Sequence, residues 1–529
     1  MFRFERRDGL ARLGWIELEG YRFESPMMID FTERPEFVDK IDFGFAPYVL
    51  KDFDEYRFRV LRSKDLEITV VTGLNTLSPR KLVETLIEVR KSSFKPLYAV
   101  SIADPKNLPL LVYMGVDIVD NIIPILKAYS GVYMLENVEF KLDDLKFLPC
   151  NCPVCHKSSP EDMDEELLAK HNTFILEKQL KTVRILIKNQ DLRNFIEAQS
   201  KFNPELTAML RILDEKSEFI EKFYPIFKKT KMYANTSESF GRPEVVGYFK
   251  RALEAYKPEG NVLLILPCSA RKPYSLSRSH KRIRGFIDKT VEEIIVSSPL
   301  VVPREFELTY PAVNYDVPVT GYWSDDEISF VSKKLSEFIE KGDFDAILAH
   351  VEGGYRRVVE RIGFDVIWTS VGDVTSPESL KKLRDTLDRL DVKQFDLYKS
   401  IFRHMFRYQF GIELDLDFDV RGRYPNLEAY SERRIARIDL NYGMLDIDIP
   451  IAKILIDRRV YFIEIEDFEP KGTIFSAGIK KADKRIRPND IIAFYNSRVI
   501  GVGRALMSGE EMTECEGKAV EVRRMERID

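Results

Sequence analysis

The chain has 529 residues, 44% hydrophobic and 32% charged, with a net charge of −5 and five cysteines. That length suits roughly three to four domains. So few cysteines exclude a disulfide scaffold and point to a reducing cytosol, and the negative total means that any RNA contact must come from local basic patches. No apolar run approaches the roughly 18 residues of a membrane span, and no apolar leader opens the chain, so neither a membrane nor a secretory role is expected.

A first domain is expected over residues 1–235, and within 1–150 short apolar runs alternate with amphipathic helical stretches. LEITVVTG (66–73), PLYAVSIAD (96–104) and VDIVDNIIP (116–124) read as strands. PRKLVETLIEVRKS (79–92) and NLPLLVYMG (107–115) read as helices between them, an alternation that implies a parallel sheet or a β/α barrel. PCNCPVC then sets Cys150, Cys152 and Cys155 within six residues, and His171 follows in a strongly helical stretch, 161–235. Three thiolates and one imidazole complete a tetrahedral shell for Zn2+ and leave no open position, so the expected role is structural. His156 competes as fourth ligand; a helix can carry His171 back over the loop, which favours His171.

A second α/β domain is expected over 236–400, with strand-like LLILPCS, FDAILAH (344–350) and FDVIWTS (364–370), then a small α+β domain over 401–456 and a β-rich domain over 457–529. PCSARKPYSLSRSH (267–280) follows the apolar run NVLLIL (261–266), which places a nucleophile-rich polar loop at a strand end, where α/β folds carry their chemistry. Pro267 to Gly285 holds six cations and no acid: Arg271, Lys272, Arg278, Lys281, Arg282 and Arg284. Cys268 is the candidate nucleophile. Ser269, Lys272, Tyr274, Ser277 and His280 can supply proton transfer and hydrogen bonds around it. The plain alternative is a buried cysteine closing a core strand beside a basic, RNA-facing loop. His350, Glu352 and Gly353–Gly354 follow another strand and are candidates for the same cleft. RGRYPN (421–426) is basic and aromatic, suited to RNA or to a subunit contact.

Three resemblances bear on function. Cys-x-Cys-x-x-Cys with a helical His, preceded by LVYMGVDIVDNIIPILKAYSG (111–131), resembles tRNA-guanine transglycosylases, with Asp120 matching the family's nucleophile. The family's Asp-Ser-Gly-Gly-Phe-Gln motif is absent, and Ile125 and Leu126 stand where many members carry Thr and Arg. This implies a degenerate transglycosylase-type barrel that keeps its zinc and one carboxylate. Residues 471–512 resemble a PUA domain, a small RNA-binding β-barrel. There Lys471, Lys480, Lys481, Lys484, Arg485 and Arg487 form a stripe able to track phosphates, and Gly478 would let backbone approach RNA. Finally, Pro-Cys-Ser, Lys-Pro-Tyr, Ser and His in 267–280, together with SSPLVVPREFELTYPAVNYDVPVTGYW (297–323), resemble archaeosine synthases.

That last resemblance spans most of the chain. It implies a multidomain α/β enzyme acting on tRNA that carries 7-cyano-7-deazaguanine at position 15, adding an amino donor to the nitrile on the way to archaeosine. The donor would be glutamine, ammonia or lysine; a lysine adduct would need a partner enzyme to cleave it, and a homo-oligomer is expected by analogy. Glu305, Tyr310 and Asp316 are candidates for holding the donor or bracing the domain. The rival readings are a base-exchanging transglycosylase using Asp120 and a non-catalytic tRNA-binding scaffold.

Overall fold

The computed structural model describes residues 2–18, 20–32, 59–62, 68–319 and 321–528; the first two residues of the expected strand 66–73 lie outside them. The chain divides into two compact units. One is Met1–Pro225 with Ile463–Pro488 and Arg504–Val522; the other is Ile226–Phe462 with Asn489–Gly503 and Arg523–Asp529. Among the described residues, no helix is long and apolar enough to cross a membrane.

The first unit carries a five-stranded sheet in the order Met27–Ile29, Ile118–Asp120, Leu97–Ala99, Thr69–Thr72, Arg59–Arg62. The first four strands run parallel and the last is antiparallel. Thr69–Thr72, Leu97–Ala99 and Ile118–Asp120 are buried throughout, the pattern of a parallel sheet covered on its faces. Among the described residues this sheet has five strands, where a complete β/α barrel has eight. The covering helix Pro79–Ser92 starts where Ser78 accepts the Lys81 N–H and Pro79 fills the first turn. It buries Leu82, Val83, Leu86 and Ile87 in a core shared with Leu176, Leu180, Val183 and Ile187 of the long helix Glu165–Asn189. Also in this unit, the strand Phe2–Asp8 pairs antiparallel with Ala11–Leu18, and its Arg3 and Phe4 pair parallel with Glu516 and Gly517.

The second unit is built on a five-stranded sheet ordered Val301–Pro303, Glu292–Val296, Val262–Pro267, Ala346–Ala349, Ile367–Trp368. Only the edge strand Val301–Pro303 is antiparallel. Val262, Leu264 and Leu266 pack with Leu348, Leu380, Leu383 and Leu387, each burial contributing roughly 1.5–3 kcal/mol. Glu292–Val296 escaped the sequence reading because it opens on two acids. Both are buried: Glu292 Oε1 accepts the Glu259 and Gly260 N–H groups at 2.7 Å each, and Arg284 Nε donates to Glu293 at 3.0 Å. An antiparallel meander, Asp419–Arg423 to Met444–Ile447, follows, then the helix Ile449–Arg458.

Candidate functional site

In the second unit, Ile265 pairs with Ala349 across two parallel strands. The loops leaving those strands therefore emerge side by side, one carrying Cys268 and the other Glu352, each three residues past the pair. Neighbouring strands lie only about 4.8 Å apart. Here a cavity of about 390 Å3 opens, walled by Cys268, Ser297, Tyr322, Trp323, Glu352 and Tyr355 among others. The Cys268 N–H donates to Val296 O at 3.0 Å. Its half-buried Sγ lies 3.1 Å from the Tyr355 hydroxyl. Tyr355 meets Trp323 edge to face, ring centres 5.2 Å apart. Gly354 makes this packing possible, since a Cβ there would lie 2.3 Å from the Trp323 indole.

Of the six signature residues, Cys268 alone lines this cavity. Ser277 caps the helix Arg278–Arg284, its Oγ accepting the His280 N–H at 3.2 Å. His280 Nε2 donates to the Pro267 carbonyl at 2.9 Å, so the imidazole pins the residue before the thiol. The Tyr274 hydroxyl bonds that of Tyr315, which donates to Ser297 Oγ at 2.7 Å in the cavity wall. Lys272 lies over the Tyr315 ring, 4.3 Å from its centre, and burial pulls its pKa below that of an ordinary lysine. Ser269 Oγ donates to the Arg271 carbonyl at 3.0 Å. None of the six cations lines the cavity: Arg271, Arg278, Lys281 and Arg282 are exposed, and Arg284 binds Glu293. The six cations read from the loop thus do not make the pocket electropositive: its only charged wall groups, among the described residues, are Glu327 and Glu352. Arg271, Arg278, Lys281 and Arg282 sit on a short helix and loop, where they keep their hydration, whereas Lys272 and Arg284 are partly buried.

Glu305 and Tyr310 do not line the cavity either. Glu305 is fully buried, and burial with Glu292 nearby pushes its carboxyl well above the usual range. The Tyr310 N–H donates to Gly443 O at 2.9 Å and its carbonyl accepts from the Tyr408 hydroxyl at 3.2 Å. Tyr310 braces the core through these bonds. His350 is buried too, its Nε2 donating to Val374 O at 2.7 Å. Sequence reasoning passed over Tyr355, Tyr322, Trp323 and Ser297. Tyr355 directly follows Gly353–Gly354, and that adjacency was the available signal.

Burial drives the pKa of His280 to about 4 and that of His404 to about 3. The unfolded chain, with ordinary histidines near 6.5, takes up protons first as pH falls. The stability from these neutral imidazoles is therefore complete above about pH 6.5 and is lost progressively toward pH 4, with a slope of at most about 1.4 kcal/mol per pH unit for each. His280→Gln should flatten the acid limb of thermal midpoint against pH. An acid limb identical in both proteins would contradict this account.

In the first unit, one ligand atom each from Cys150, Cys152, Cys155 and His171 lie within 4.8 Å of one another, a cluster that can hold a metal ion. His171 Nε2 donates to Met134 O at 2.9 Å, which leaves Nδ1 facing the sulfurs, 3.2 Å from Cys155 Sγ and 3.5 Å from Cys152 Sγ. The bond to Met134 is the kind that fixes a ligating imidazole. Tyr133 stacks on His171 at 3.9 Å and its hydroxyl reaches Cys155 Sγ at 3.2 Å. His156 is not part of the cluster.

Asp120 ends its strand fully buried. Its Oδ2 accepts from the Tyr98 hydroxyl and the Ser101 N–H, both at 2.8 Å, and Oδ1 from the Ile122 N–H at 3.1 Å. Burial raises its pKa to about 6.

Along the tail, Lys471, Lys480, Lys481, Lys484 and Arg485 are exposed. Arg487 instead packs on the helix Ser217–Glu221, donating to the Glu221 carboxylate at 2.7 Å and its carbonyl at 2.9 Å. Gly478 sits beneath the Phe468 ring, 2.9 Å from where a Cβ would be, so its smallness serves packing.

Residues 49–205 match the queuine tRNA-ribosyltransferase family model. Residues 245–387 match a domain of unknown function, 395–456 a pre-PUA domain and 464–525 the PUA domain. An archaeosine synthase subunit alpha of Methanosarcina acetivorans is 37% identical over 88% of this chain and 81% of its own length. An archaeosine synthase of Haloferax volcanii is 34% identical over 80% and 76%. A tRNA-guanine(15) transglycosylase of Methanothermobacter thermautotrophicus is 27% identical over 81% and 66%.

Proposed function

We propose, from the premise that the chain belongs to the archaeosine synthase family, that this tRNA-modifying transferase acts on the nitrile of 7-cyano-7-deazaguanine at position 15 of tRNA and converts it toward the amidine through Cys268. The observation that carries this reading is a thiol in the wall of a strand-end cavity, 3.1 Å from a tyrosine hydroxyl. A nitrile carbon is a weak electrophile. A sulfur nucleophile with a positioned proton donor divides one hard addition into two easier steps. The Cys268 sulfur bonds to the nitrile carbon, and the thiol proton passes through the Tyr355 hydroxyl to the nitrile nitrogen, giving a thioimidate. The donor amine then adds to that carbon, its proton returns to sulfur, and the C–S bond breaks to release the amidine and the free thiol. His280 and Ser277 hold the loop, and the Tyr274–Tyr315–Ser297 chain stiffens the wall.

The donor is glutamine, ammonia or lysine; a lysine adduct would pass to a partner enzyme. Nucleoside mass spectrometry after incubating nitrile-bearing tRNA with each donor separately tests the reading, because the added mass reports both reaction and nitrogen source. No mass change with any donor would overturn it, and incorporation of labelled free 7-deazaguanine would favour transglycosylation. The Cys3His cluster suits Zn2+, whose preferred shell is tetrahedral sulfur and nitrogen. Bound there, the ion would hold the 150–155 loop to the long helix, with no part in the nitrile chemistry.

The exposed tail cations support RNA contact through phosphates. Replacing Lys480, Lys481 and Lys484 together with Ala is expected to weaken tRNA binding and lower the log–log salt slope by about 1 for each phosphate left without its cation. Arg487→Ala should instead loosen the tail's packing on Glu221 and leave the slope nearly unchanged. Filter-binding titrations at several salt concentrations separate the two outcomes.

A further inference from the structure

Glu352 is a charged group in the cavity wall that the nitrile chemistry does not use. The other wall acid, Glu327, accepts the Ser324 N–H at 3.3 Å and so closes its own helix start. Glu352 is half-buried at 29% side-chain exposure, with a guanidinium of Arg356 no nearer than 3.9 Å. It sits beside Gly353, whose φ of 61° and ψ of −131° are a glycine conformation. The same wall carries Trp323 and the exposed ring of Tyr322. A planar base fits flat aromatic faces, and bases taken out of a stack are read along their Watson–Crick edge.

Resting on the reading of the site as a nitrile-modifying centre, we propose that Glu352 is a specificity residue whose carboxylate accepts the paired N1–H and 2-amino hydrogens of the substrate base, with Tyr322 covering the ring. A carboxylate is acceptor-only, and those two adjacent donors match its two oxygens. On a 7-deazaguanine the nitrile at C7 lies at the opposite end of the bicycle from that edge. The paired strands set Cys268 and Glu352 on adjacent loops, so a base held by one presents its nitrile toward the other.

The test compares two tRNAs, one with 7-cyano-7-deazaguanine and one with the same base lacking its 2-amino group. Turnover (kcat/KM for each) and donor-free competition binding are both measured. The wild-type protein should favour the 2-amino tRNA by roughly 10- to 100-fold, the discrimination of a good bidentate pair. Glu352→Gln should shrink that ratio to within about threefold with the donor's KM unchanged; Tyr322→Ala should weaken both tRNAs alike while keeping the ratio. A ratio unchanged in Glu352→Gln, or a rise in the donor's KM alone, would overturn the proposal. If no donor supports turnover but the binding ratio behaves as stated, the reaction reading fails and the base-edge assignment stands.

Discussion

Cys268→Ala is expected to lower turnover of nitrile-bearing tRNA by roughly 10³-fold or more, a loss on the scale seen when a covalent nucleophile is removed. Affinity for tRNA should stay within about twofold, because phosphate contacts and not this sulfur dominate it. The decisive companion is Cys268→Ser. It keeps a hydrogen-bonding atom near the Tyr355 hydroxyl and preserves the shape of the strand end. If Cys268 merely closed a core strand, serine would rescue most of the activity. As a nucleophile, a serine hydroxyl facing no histidine base is far weaker, since the nearest imidazole in the signature, His280, spends its Nε2 on the Pro267 carbonyl. Both variants should therefore be inactive yet folded. With the donor omitted, intact-mass measurement should find a covalent protein–tRNA species in the wild type and none in either variant. Full turnover by Cys268→Ala would refute the thioimidate route.

The second large effect concerns the metal cluster. Purified protein is expected to hold one zinc per chain, and Cys155→Ser to lose it. Cys155 and His171 are buried at 7% and 0% exposure, and Cys155 packs with Tyr133, Val154, Met163 and Leu168. Without an ion the site gathers three sulfurs and an imidazole with no charge to bind them. Structural zinc contributes on the order of 10 kcal/mol in isolated finger peptides. Even a loss of about 3 kcal/mol here would lower the thermal midpoint by on the order of 10 °C. Elemental analysis and melting curves check this; a metal-free protein melting with the wild type would show that the ion is dispensable.

What could be read from the chain alone follows the range of the forces involved. The helix Pro79–Ser92 was legible to its ends because its cap, its proline and its apolar spacing are local. The cysteine–histidine cluster was legible because thiol chemistry confines its uses. The strand Glu292–Val296 was hidden, since the groups that hydrogen-bond its two acids lie up to 33 residues away. Around Cys268 the strand-end position was readable, but the direction of each side chain was not. His280, Ser277 and Tyr274 read equally well as catalysts or as scaffolding, and only the bonds to the Pro267 carbonyl, the helix start and Tyr315 show what each one holds. The cations misled because a run of charge says nothing about which way a short helix faces.

The pairing of Arg3 with Glu516 and Phe4 with Gly517 sets a timetable. Gly517 has φ 135°, and a Cβ there would meet the Phe4 carbonyl oxygen at 2.3 Å, so the two strands are closely fitted. Nearby, Arg7 bonds Glu511 at 2.7 Å out of reach of water. At about 5–20 residues per second, a ribosome needs on the order of a minute to travel from one partner to the other. Through that interval the strand Phe2–Asp8 waits with an unpaired edge, and translation that stops before codon 516 would leave it open to self-association.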